Sequence, residues 1–334
     1  MSVRIAINGF GRIGRMVLRE ANKNSNVEIV AINDLVPSDN LAYLLKHDST
    51  HGRFNGEVLA GQNSIEVNGK KIECLSEKNP GDLPWSDLKI EYVIESTGLF
   101  TASEKAAEHL KAGAKKVVIS APAKEVDITI VQGVNNHLLS HKDQIISNGS
   151  CTTNCLAPIV MILDKYLGID SGFMTTIHSF TGDQRTVDQT HTDLRRARTA
   201  SDSMIPTSTG AAKTIGLVLP NLIGKLDGTA IRVPTSNVSL IDLTFQSKQK
   251  TSVKNINELM IKTSKNKKLK GILSINKLPL VSKDFNHNSS SSVFDVTQTQ
   301  VIKNKFCRIL SWYDNEWGFS NRMCDIAEFL HNNS

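Results

Sequence analysis

Glycine spacing near the start of the chain constrains the fold more strongly than any other feature. Gly9, Gly11 and Gly14 follow a β-branched run at residues 3–7 and open a helix-like pattern at residues 12–21. Glycines at this spacing let the backbone turn tightly and approach a pyrophosphate, which then lies at the helix N-terminus. Because glycines alone also mark ordinary turns, the flanking strand and helix carry the interpretation. The segment predicts a dinucleotide-binding unit.

An acidic residue extends this pattern. Asp34 follows the next apolar run, residues 27–32, and lies roughly 20 residues after Gly14. A carboxylate at this place accepts hydrogen bonds from the ribose hydroxyls of NAD, and its charge repels the 2′-phosphate of NADP. The sequence therefore predicts a Rossmann fold that binds NAD. The alternative is a fold of this type with an empty crevice.

The rest of the first 150 residues alternates strand-like and helix-like patterns. Ser38 is a candidate helix N-cap, Asn68-Gly69 is a hairpin signal, and residues 103–112 have helical spacing. The further strand-like segments are residues 92–94, 117–120, 128–131 and 145–147. This alternation predicts a doubly wound, mainly parallel sheet that is covered on both faces.

The pattern changes after Cys151. A helix is expected at residues 152–167, and another begins at Asn315. Between them lie longer alternating segments at residues 173–178, 229–245, 291–298 and 306–312. They predict an α+β domain with a mostly antiparallel or mixed sheet. At about 150 residues per domain, we expect a nucleotide domain over residues 1–150 and a second domain over residues 151–314.

Composition excludes several classes of protein. Hydrophobic residues make up 40% and charged residues 22%, which is ordinary globular usage and argues against disorder or a fibrous repeat. No aliphatic run approaches the roughly 18 residues of a membrane helix, and the first residues lack a signal-peptide pattern. The five cysteines show neither CxxC nor zinc-ligand spacing, so no disulfide scaffold or metal site is predicted. We expect a soluble protein of the cytoplasm, where thiols stay reduced.

The net charge is +6, and much of the excess lies in residues 246–270. A solvated helix face is the favoured interpretation of this stretch, because it holds few aromatic residues that could stack on bases. A nucleic-acid- or surface-binding protein is the alternative, and nucleic acid is not predicted as a partner.

Cys151 is the candidate nucleophile. It follows a short strand and a turn, and it would lie at the N-terminus of a helix, where unpaired amides and the helix dipole lower a thiol pKa. Cys155, one turn later, is interpreted as inert packing, as are the other three cysteines. His178 ends a strand and is a candidate base, although a packing role is the alternative and the sequence does not show that it touches Cys151.

Three features are candidate anion sites. Residues 206–210 precede a helix that Pro220 closes, and such hydroxyls and amides hold either an anion or only the helix end. Arg232 interrupts an apolar strand and needs a partner, which is a phosphate or a structural carboxylate. Arg195, Arg196 and Arg198 in the polar stretch 179–203 are either solvated or phosphate ligands.

These motifs resemble those of a known family, the phosphorylating glyceraldehyde-3-phosphate dehydrogenases of type I. The resemblance extends along the whole chain, and its motifs are INGFGRIGR, LLKHDSTHGRF, ESTG, GAKKVVISAPA, SCTTNC, TTIHSFTGDQ, DLRRARTA, PTSTGAAK, LDGTAIRVPT and SWYDNEWGFSNR. It implies oxidation and phosphorylation of D-glyceraldehyde 3-phosphate to 1,3-bisphosphoglycerate with NAD reduction, in glycolysis and gluconeogenesis. It also implies a homotetramer, and a C-terminal helix at residues 315–334 that packs on the NAD-binding domain.

The resemblance assigns roles residue by residue. Cys151 is the nucleophile and His178 the base. The positions that hold the substrate phosphate and inorganic phosphate are Ser150, Thr152, Thr181, Arg196, Thr209, Gly210 and Arg232. The cofactor contacts, with Gly9, Gly11 and Gly14, are Arg12, Ile13, Asp34, Lys78, Ser120 and Asn315. Lys78 stands where the family often has arginine, which weakens the assignment of that contact.

Two comparisons refine the expected activity. Many strictly NAD-dependent members have Leu-Pro where this chain has Gln189-Thr190, so NAD preference with some NADP use is predicted. Erythrose-4-phosphate dehydrogenase is the nearest alternative, but its members lack the motifs found here as His178-Ser179-Phe180-Thr181 and Thr209-Gly210. A semialdehyde dehydrogenase is a more distant alternative.

Overall fold

A computed structural model describes residues 2–332, and the chain divides into two units. The first unit runs from the N-terminus to Ile130 and also contains His137–Gly149 and the chain from Ser320 onward. The second unit comprises Val131–Asn136 and Ser150–Phe319. The ranges expected for the two domains include residues 1, 333 and 334, which lie outside the described part of the chain.

The first unit is built on a nine-stranded sheet. Its strands are β1 (Val3–Asn8), β2 (Val27–Asn33), β3 (Val58–Ala60), β4 (Ser64–Val67), β5 (Lys70–Leu75), β6 (Tyr92–Glu95), β7 (Lys116–Ile119), β8 (Ile128–Thr129) and β9 (Ile145–Ser147). The spatial order is β3-β4-β5-β2-β1-β6-β7-β9-β8, and all neighbours from β5 to β8 are parallel. The predicted doubly wound parallel sheet is confirmed. The central strands are buried because their apolar residues face a covering layer on both sides.

Turns and helices of this unit follow the sequence signals with two exceptions: the helix start expected at Ser38, and the helix expected over residues 103–112, which is broken at Ala107. Asn68 and Gly69 adopt positive φ angles of 51° and 77°, which form the expected tight hairpin between β4 and β5. The helices are α1 (Arg12–Ala21), α2 (Ser38–Lys46), α3 (Ser103–Ala106) and α4 (Glu108–Lys111). Ser38 was the wrong N-cap: Pro37 occupies that position, and the Ser38 hydroxyl donates to the Gly61 carbonyl instead.

A partly buried ion pair joins the start of α1 to the segment after α2. Arg12 Nη1 donates to Asp48 Oδ2 at 2.5 Å, and the Asp48 side chain is only 1% exposed. The same carboxylate accepts from the backbone N–H groups of Thr50 and His51. Burial would raise the pKa of Asp48, but the bonds from Arg12, His51 and Thr50 outweigh burial and lower it to about 2.

We expect Asp48→Asn to lower the free energy of unfolding by about 2 kcal/mol at pH 7, since one pKa unit corresponds to about 1.4 kcal/mol. A depressed carboxyl pKa stabilises the fold above the unfolded-state value near 4, and this stability is lost as the pH falls toward the folded-state value of about 2. The difference in the free energy of unfolding between the native and variant proteins should therefore become smaller below pH 4. Denaturant unfolding at several pH values measures it, and a gap that widens on acidification would contradict the assignment.

The second unit contains a seven-stranded mixed sheet. Its strands are β10 (Ile169–Ser179), β11 (Ile205–Ser208), β12 (Leu226–Val233), β13 (Ser239–Ser247), β14 (Leu273–Asn276), β15 (Ser292–Ile302) and β16 (Phe306–Tyr313). The order is β11-β12-β10-β13-β16-β15-β14, with only the pairs β10–β12 and β14–β15 parallel. The predicted mostly antiparallel, mixed sheet is confirmed.

Three helices accompany the second sheet. They are α5 (Cys151–Leu167), α6 (Ala211–Val218) and α7 (Val253–Ser264). α5 is apolar on nearly every side and belongs to one core cluster with β10, β13 and β16. α7 buries only Ile256 and Met260, which leaves the lysines of the basic stretch facing solvent.

The expected single strand at residues 229–245 is instead two strands, β12 and β13. Pro234 has no N–H to donate, and the Thr235 N–H bonds back to the Val233 carbonyl at 2.7 Å, so the chain turns there. The final helix, α8 (Trp317–Asn332), begins two residues later than expected because Asp314 Oδ1 accepts from the N–H groups of Glu316 and Trp317.

The part of α8 that lies in the first unit is attached to α1 and its following turn. Cys324 Sγ lies 3.7 Å from the Val17 carbonyl oxygen, and the Glu328 carboxylate accepts from Asn24 and Asn26. Among the described residues, no helix is long and apolar enough to cross a membrane.

Candidate active site

Cys151 is the first residue of α5 in the second unit. Ser150 is the N-cap, and its Oγ accepts from the Thr153 N–H at 3.0 Å. A hydroxyl cap of this kind satisfies one of the unpaired amides of the first turn and fixes where the helix starts. Ser150 and Cys151 therefore lie at a defined helix N-terminus, as the sequence predicts.

The structure brings Cys151 and His178 into contact. Sγ lies 3.5 Å from His178 Nε2, and the other ring nitrogen, Nδ1, lies 2.7 Å from the Ser179 carbonyl oxygen. The carbonyl only accepts and so favours a proton on Nδ1, whereas Arg232 Nη1, 2.6 Å from the same nitrogen, only donates and favours a proton on Nε2. With the proton on Nδ1, the Nε2 lone pair is directed at the thiol. This tautomer is the one that can take the cysteine proton.

Burial sets the charge of the pair. Desolvation raises the pKa of the Cys151 thiol, and it outweighs the lowering by Arg232 and by hydrogen bonds at Thr152. Desolvation, aided by the Arg232 charge, lowers the pKa of His178 to about 3 against the opposing bond to Ser179. The amides at the helix terminus lower the thiol pKa, as expected, but burial outweighs them. The structure favours a neutral thiol facing a neutral imidazole.

Arg232 lies beside the histidine because β12 runs parallel to β10, with residue 232 opposite residue 178. Its Nη1 is 2.6 Å from His178 Nδ1 and 3.0 Å from the Ser179 carbonyl oxygen. Among the described residues, no carboxylate is bonded to it. Its Nε is buried without a hydrogen-bond partner, which is an arrangement suited to an arriving anion.

Sequence reasoning missed Tyr313 at the end of β16. Its buried ring meets the His178 ring edge-on, with centroids 5.8 Å apart and an interplanar angle of 81°. Its hydroxyl lies 2.8 Å from both Thr152 Oγ1 and Thr176 Oγ1. The sequence did contain a signal for this cluster. Thr176 and His178 are two residues apart on one strand, so their side chains lie on the same face of the sheet.

Arg196 is anchored by protein groups. It donates from Nη1 to Asp183 Oδ2 at 2.6 Å and from Nε to Thr207 Oγ1 at 3.0 Å. Arg196 and Asp183 both influence the pKa of Arg232, which burial lowers above all. The charge of Arg196 therefore reaches Arg232 and lowers its pKa slightly further.

The remaining candidate anion residues lie at loop ends. Thr209 Oγ1 accepts from the Ala211 N–H, and Gly210 is the N-cap of α6. A Cβ on Gly210 would meet nothing within 4 Å, so the approach to this helix end is open. The Thr181 N–H donates to Gln184 Oε1 at 3.3 Å. Within residues 2–332, no hydrogen bond links Thr181, Thr209 or Gly210 to the Cys151–His178 pair.

The glycine turn of the first unit fits a dinucleotide. Gly9 has φ +90°, and a Cβ there would lie 2.7 Å from the Thr97 backbone nitrogen. A Cβ on Gly14 would collide with the Gly9 carbonyl oxygen. A Cβ on Gly11 would meet nothing within 4 Å, and Gly11 is the N-cap of α1 with no capping side chain. The space at Gly11 and the helix end are therefore open to a pyrophosphate.

Asp34 and its neighbours lie at the carboxyl ends of the parallel strands. Asp34 Oδ2 accepts from the Phe10 N–H at 2.7 Å, which leaves Oδ1 available to a ribose hydroxyl. Arg12 and Ile13 begin α1, Lys78 is exposed, and the Ser120 N–H bonds to the Glu95 carbonyl at the end of β7.

Asn315 is in the second unit. Its Oδ1 accepts from the hydroxyls of Ser179 and Ser239 at 2.8 Å each. These bonds orient the carboxamide and direct its other end, Nδ2, away from them.

Comparison with known proteins shows what such a fold does. The model of the glyceraldehyde 3-phosphate dehydrogenase NAD binding domain matches residues 3–103, so the chain is an NAD-dependent oxidoreductase. The model of the C-terminal domain of the same enzymes matches residues 150–315. The chain therefore belongs to the glyceraldehyde-3-phosphate dehydrogenase family. The resemblance stated from its motifs and the NAD cofactor are confirmed.

Full-length relatives agree with this assignment. The chain is 55% identical over 329 residues to a glyceraldehyde-3-phosphate dehydrogenase of Xanthobacter flavus, covering 98% of both chains. It is 55% identical to the plasmid-borne enzyme of that name in Cupriavidus necator, covering 99% of both. The enzyme of that name from Geobacillus stearothermophilus is 52% identical over 331 residues, which are 99% of this chain and 98% of the relative.

Proposed function

We propose that the protein oxidises and phosphorylates D-glyceraldehyde 3-phosphate to 1,3-bisphosphoglycerate with reduction of NAD, in glycolysis and gluconeogenesis. The observation that carries the proposal is the contact of Cys151 Sγ with His178 Nε2, beside Arg232, in a member of this family. A nucleophile, a base that accepts its proton and an anion-binding cation are the groups that the reaction requires.

In the proposed mechanism, His178 takes up and returns the protons that the reaction moves. Nε2 of His178 takes the Sγ proton as sulfur adds to the aldehyde carbon, and passes it to the oxygen to complete a hemithioacetal. His178 then takes the hydroxyl proton while the carbon is oxidised to a thioester. Bound NAD supplies the acceptor for the hydride that leaves that carbon. Phosphate attacks the thioester carbonyl, and sulfur leaves to be reprotonated by His178.

Seven residues are proposed to hold the two phosphate groups: Ser150, Thr152, Thr181, Arg196, Thr209, Gly210 and Arg232. The buried, unpartnered Nε of Arg232 and the open helix end at Gly210 support this. Thr152 and Arg196 already bond to Tyr313 and Asp183, so an incoming anion shares or replaces those bonds. Rearrangement at Arg196 would then accompany phosphate binding.

Cofactor contacts are proposed for Gly9, Gly11, Arg12, Ile13, Gly14, Asp34, Lys78, Ser120 and Asn315. The open space at Gly11 and the free Oδ1 of Asp34 support NAD here, and some NADP use is compatible with Gln189-Thr190. We assign NAD binding to residues 1–150 with the C-terminal helix, and catalysis to residues 151–314. The family resemblance supports a homotetramer, and the free cysteines are compatible with the cytoplasm.

The proposal is tested by mixing the purified protein with glyceraldehyde 3-phosphate, phosphate and NAD and following NADH absorbance. We expect rapid NADH formation that depends on phosphate and is slower with NADP. Parallel reactions replace the substrate with erythrose 4-phosphate or omit phosphate. Faster turnover of erythrose 4-phosphate without phosphate would assign the alternative activity. Failure to turn over either aldehyde, by protein that binds NAD, would overturn the proposed reaction.

A further inference from the structure

A row of polar side chains crosses the carboxyl ends of three central strands in the first unit. Asn33, Asn8 and Glu95 are the last residues of β2, β1 and β6, and they lie opposite one another in the parallel register. All three are buried, with Glu95 and Asn8 each 1% exposed. Asn33 Nδ2 donates to Asn8 Oδ1 at 2.7 Å, and Asn8 Nδ2 donates to Glu95 Oε2 at 2.6 Å.

A second set of hydrogen bonds also ends at the carboxylate of Glu95. Trp85 Nε1 lies 3.0 Å from His109 Nδ1, and an indole only donates, so the imidazole proton is on Nε2. That nitrogen lies 3.1 Å from Glu95 Oε2 and donates to it. The backbone N–H and hydroxyl of Thr97 donate to Glu95 Oε1 at 2.8 and 2.5 Å. The Glu95 carboxylate therefore accepts hydrogen bonds from Asn8, His109 and Thr97.

Two of these strand ends lead directly into the proposed cofactor site. Gly9 of the glycine turn follows Asn8, and Asp34 follows Asn33. Thr97, which Glu95 holds, lies against the glycine turn, since a Cβ on Gly9 would be 2.7 Å from its backbone nitrogen.

The same row reaches a third cofactor loop. Asn33 Nδ2 also donates to the Glu77 carbonyl at 2.9 Å, and Asn33 Oδ1 accepts from the Glu77 N–H at 2.8 Å. Lys78, the proposed contact that replaces a frequent arginine, is the next residue. Ser96 adds a direct tie, because its hydroxyl donates to the Gly9 carbonyl at 2.7 Å.

We propose that Glu95 is a positioning residue for the NAD site, which it sets through Asn8, Asn33 and Thr97. A buried carboxylate costs desolvation free energy that an apolar side chain would avoid, so its presence here has to be explained by the geometry it imposes. By accepting at both oxygens, Glu95 holds the glycine turn, the carboxylate of Asp34 and the loop of Lys78 at fixed separations. The inference rests on the proposed cofactor contacts. The side chains of the network, which are those of Glu95, Asn8, Asn33 and Thr97, are not themselves among these contacts.

Glu95→Gln tests the role because a carboxamide cannot restore the pattern. With its NH2 group at the Oε2 position it faces two donors, Asn8 Nδ2 and His109 Nε2. With the NH2 group at the Oε1 position it faces the Thr97 N–H, although the Thr97 hydroxyl can turn to accept from it. Turning Asn8 to accept would break its bond from Asn33, and moving the His109 proton to Nδ1 would set it against the Trp85 N–H. The mismatch therefore has to be relieved by movement of the loops. Glu95→Asp keeps both acceptors on a shorter side chain, and Glu66→Gln, at an exposed position of β4, is the matched control.

The experiment is isothermal titration of NAD into the full-length protein, together with KM values for both substrates. We expect Glu95→Gln to raise the Kd and KM for NAD about tenfold or more, which corresponds to the loss of one buried hydrogen bond. The KM for glyceraldehyde 3-phosphate should change less than about twofold. Glu95→Asp should recover part of the NAD affinity, and Glu66→Gln should match the native protein.

An NAD Kd that is unchanged in folded Glu95→Gln protein would overturn the inference, as would an equal rise in KM for both substrates. If Glu95→Gln does not fold, a second pair decides. His109→Gln, which can still accept from Trp85 and donate to Glu95, should bind NAD more tightly than His109→Leu, and equal affinities would refute the role. Native protein that fails to bind NAD would instead remove the proposed function.

Discussion

Cys151→Ser is expected to reduce kcat by on the order of 10³-fold or more, because removal of a catalytic nucleophile has effects of that size or larger. A serine hydroxyl at the start of α5 is a far weaker nucleophile than a thiol, because its much higher pKa leaves it almost entirely un-ionised. Any acyl intermediate would also be an oxygen ester, which phosphate attacks less readily than a thioester. The NADH assay with phosphate measures this loss.

The control for this variant is Cys155→Ala. Cys155 lies one turn further along α5, is fully buried, and contacts Ser292 Oγ at 3.4 Å. Its burial raises the pKa to about 12, so it has no nucleophilic role to lose. We expect the Cys155 variant to keep most of its activity. NAD titration should show that both variants bind cofactor as the native protein does. Substantial turnover by folded Cys151→Ser protein would contradict the proposed mechanism.

His178→Gln is expected to lower kcat by about 10²- to 10⁴-fold, the usual contribution of a general acid–base. Glutamine fills similar space and can bond to its neighbours, but it cannot carry a proton between sulfur, the hydroxyl group and solvent. The effect should fall mainly on kcat, because Arg232 and the other anion-binding residues are retained. Steady-state kinetics with both substrates separates kcat from KM.

The exposed His137 supplies a control for the histidine substitution. His137→Gln should leave kcat unchanged. A loss smaller than tenfold in the His178 variant, with the thiol still reactive, would assign the proton transfers to another group. Tyr313, whose pKa burial raises well above its usual value, would be the neighbouring hydroxyl to examine next.

The sequence predicted those elements of the fold that are determined by residues close together in the chain. The strand, glycine turn and helix around Gly11 follow from neighbouring residues, and so does the hairpin at Asn68. The wrong details also have local causes: Pro37 displaces Ser38 as N-cap, and Pro234 interrupts the expected long strand.

Features that join distant segments were not visible in the sequence. The contact of Tyr313 with Thr152 spans 161 positions, and the bond between Asn8 and Glu95 spans 87. The partner of Arg232 is an imidazole and a carbonyl because two strands are parallel in one register, which no spacing rule reveals. The thiol pKa depends on how densely the folded protein surrounds Cys151, and the helix terminus alone gave the opposite direction. The individual roles of the site residues stay predictions.

The attachment of α8 to the first unit has a consequence for biosynthesis. Glu328 bonds to Asn24 across 304 positions, so the helix that completes the nucleotide-binding unit leaves the ribosome long after β1 and α1. Throughout translation, the surface that this helix covers, which includes the Val17 carbonyl, stays exposed while the whole second unit is being made. The nascent chain therefore exposes this part of α1 and the turn that follows it until α8 has been synthesised.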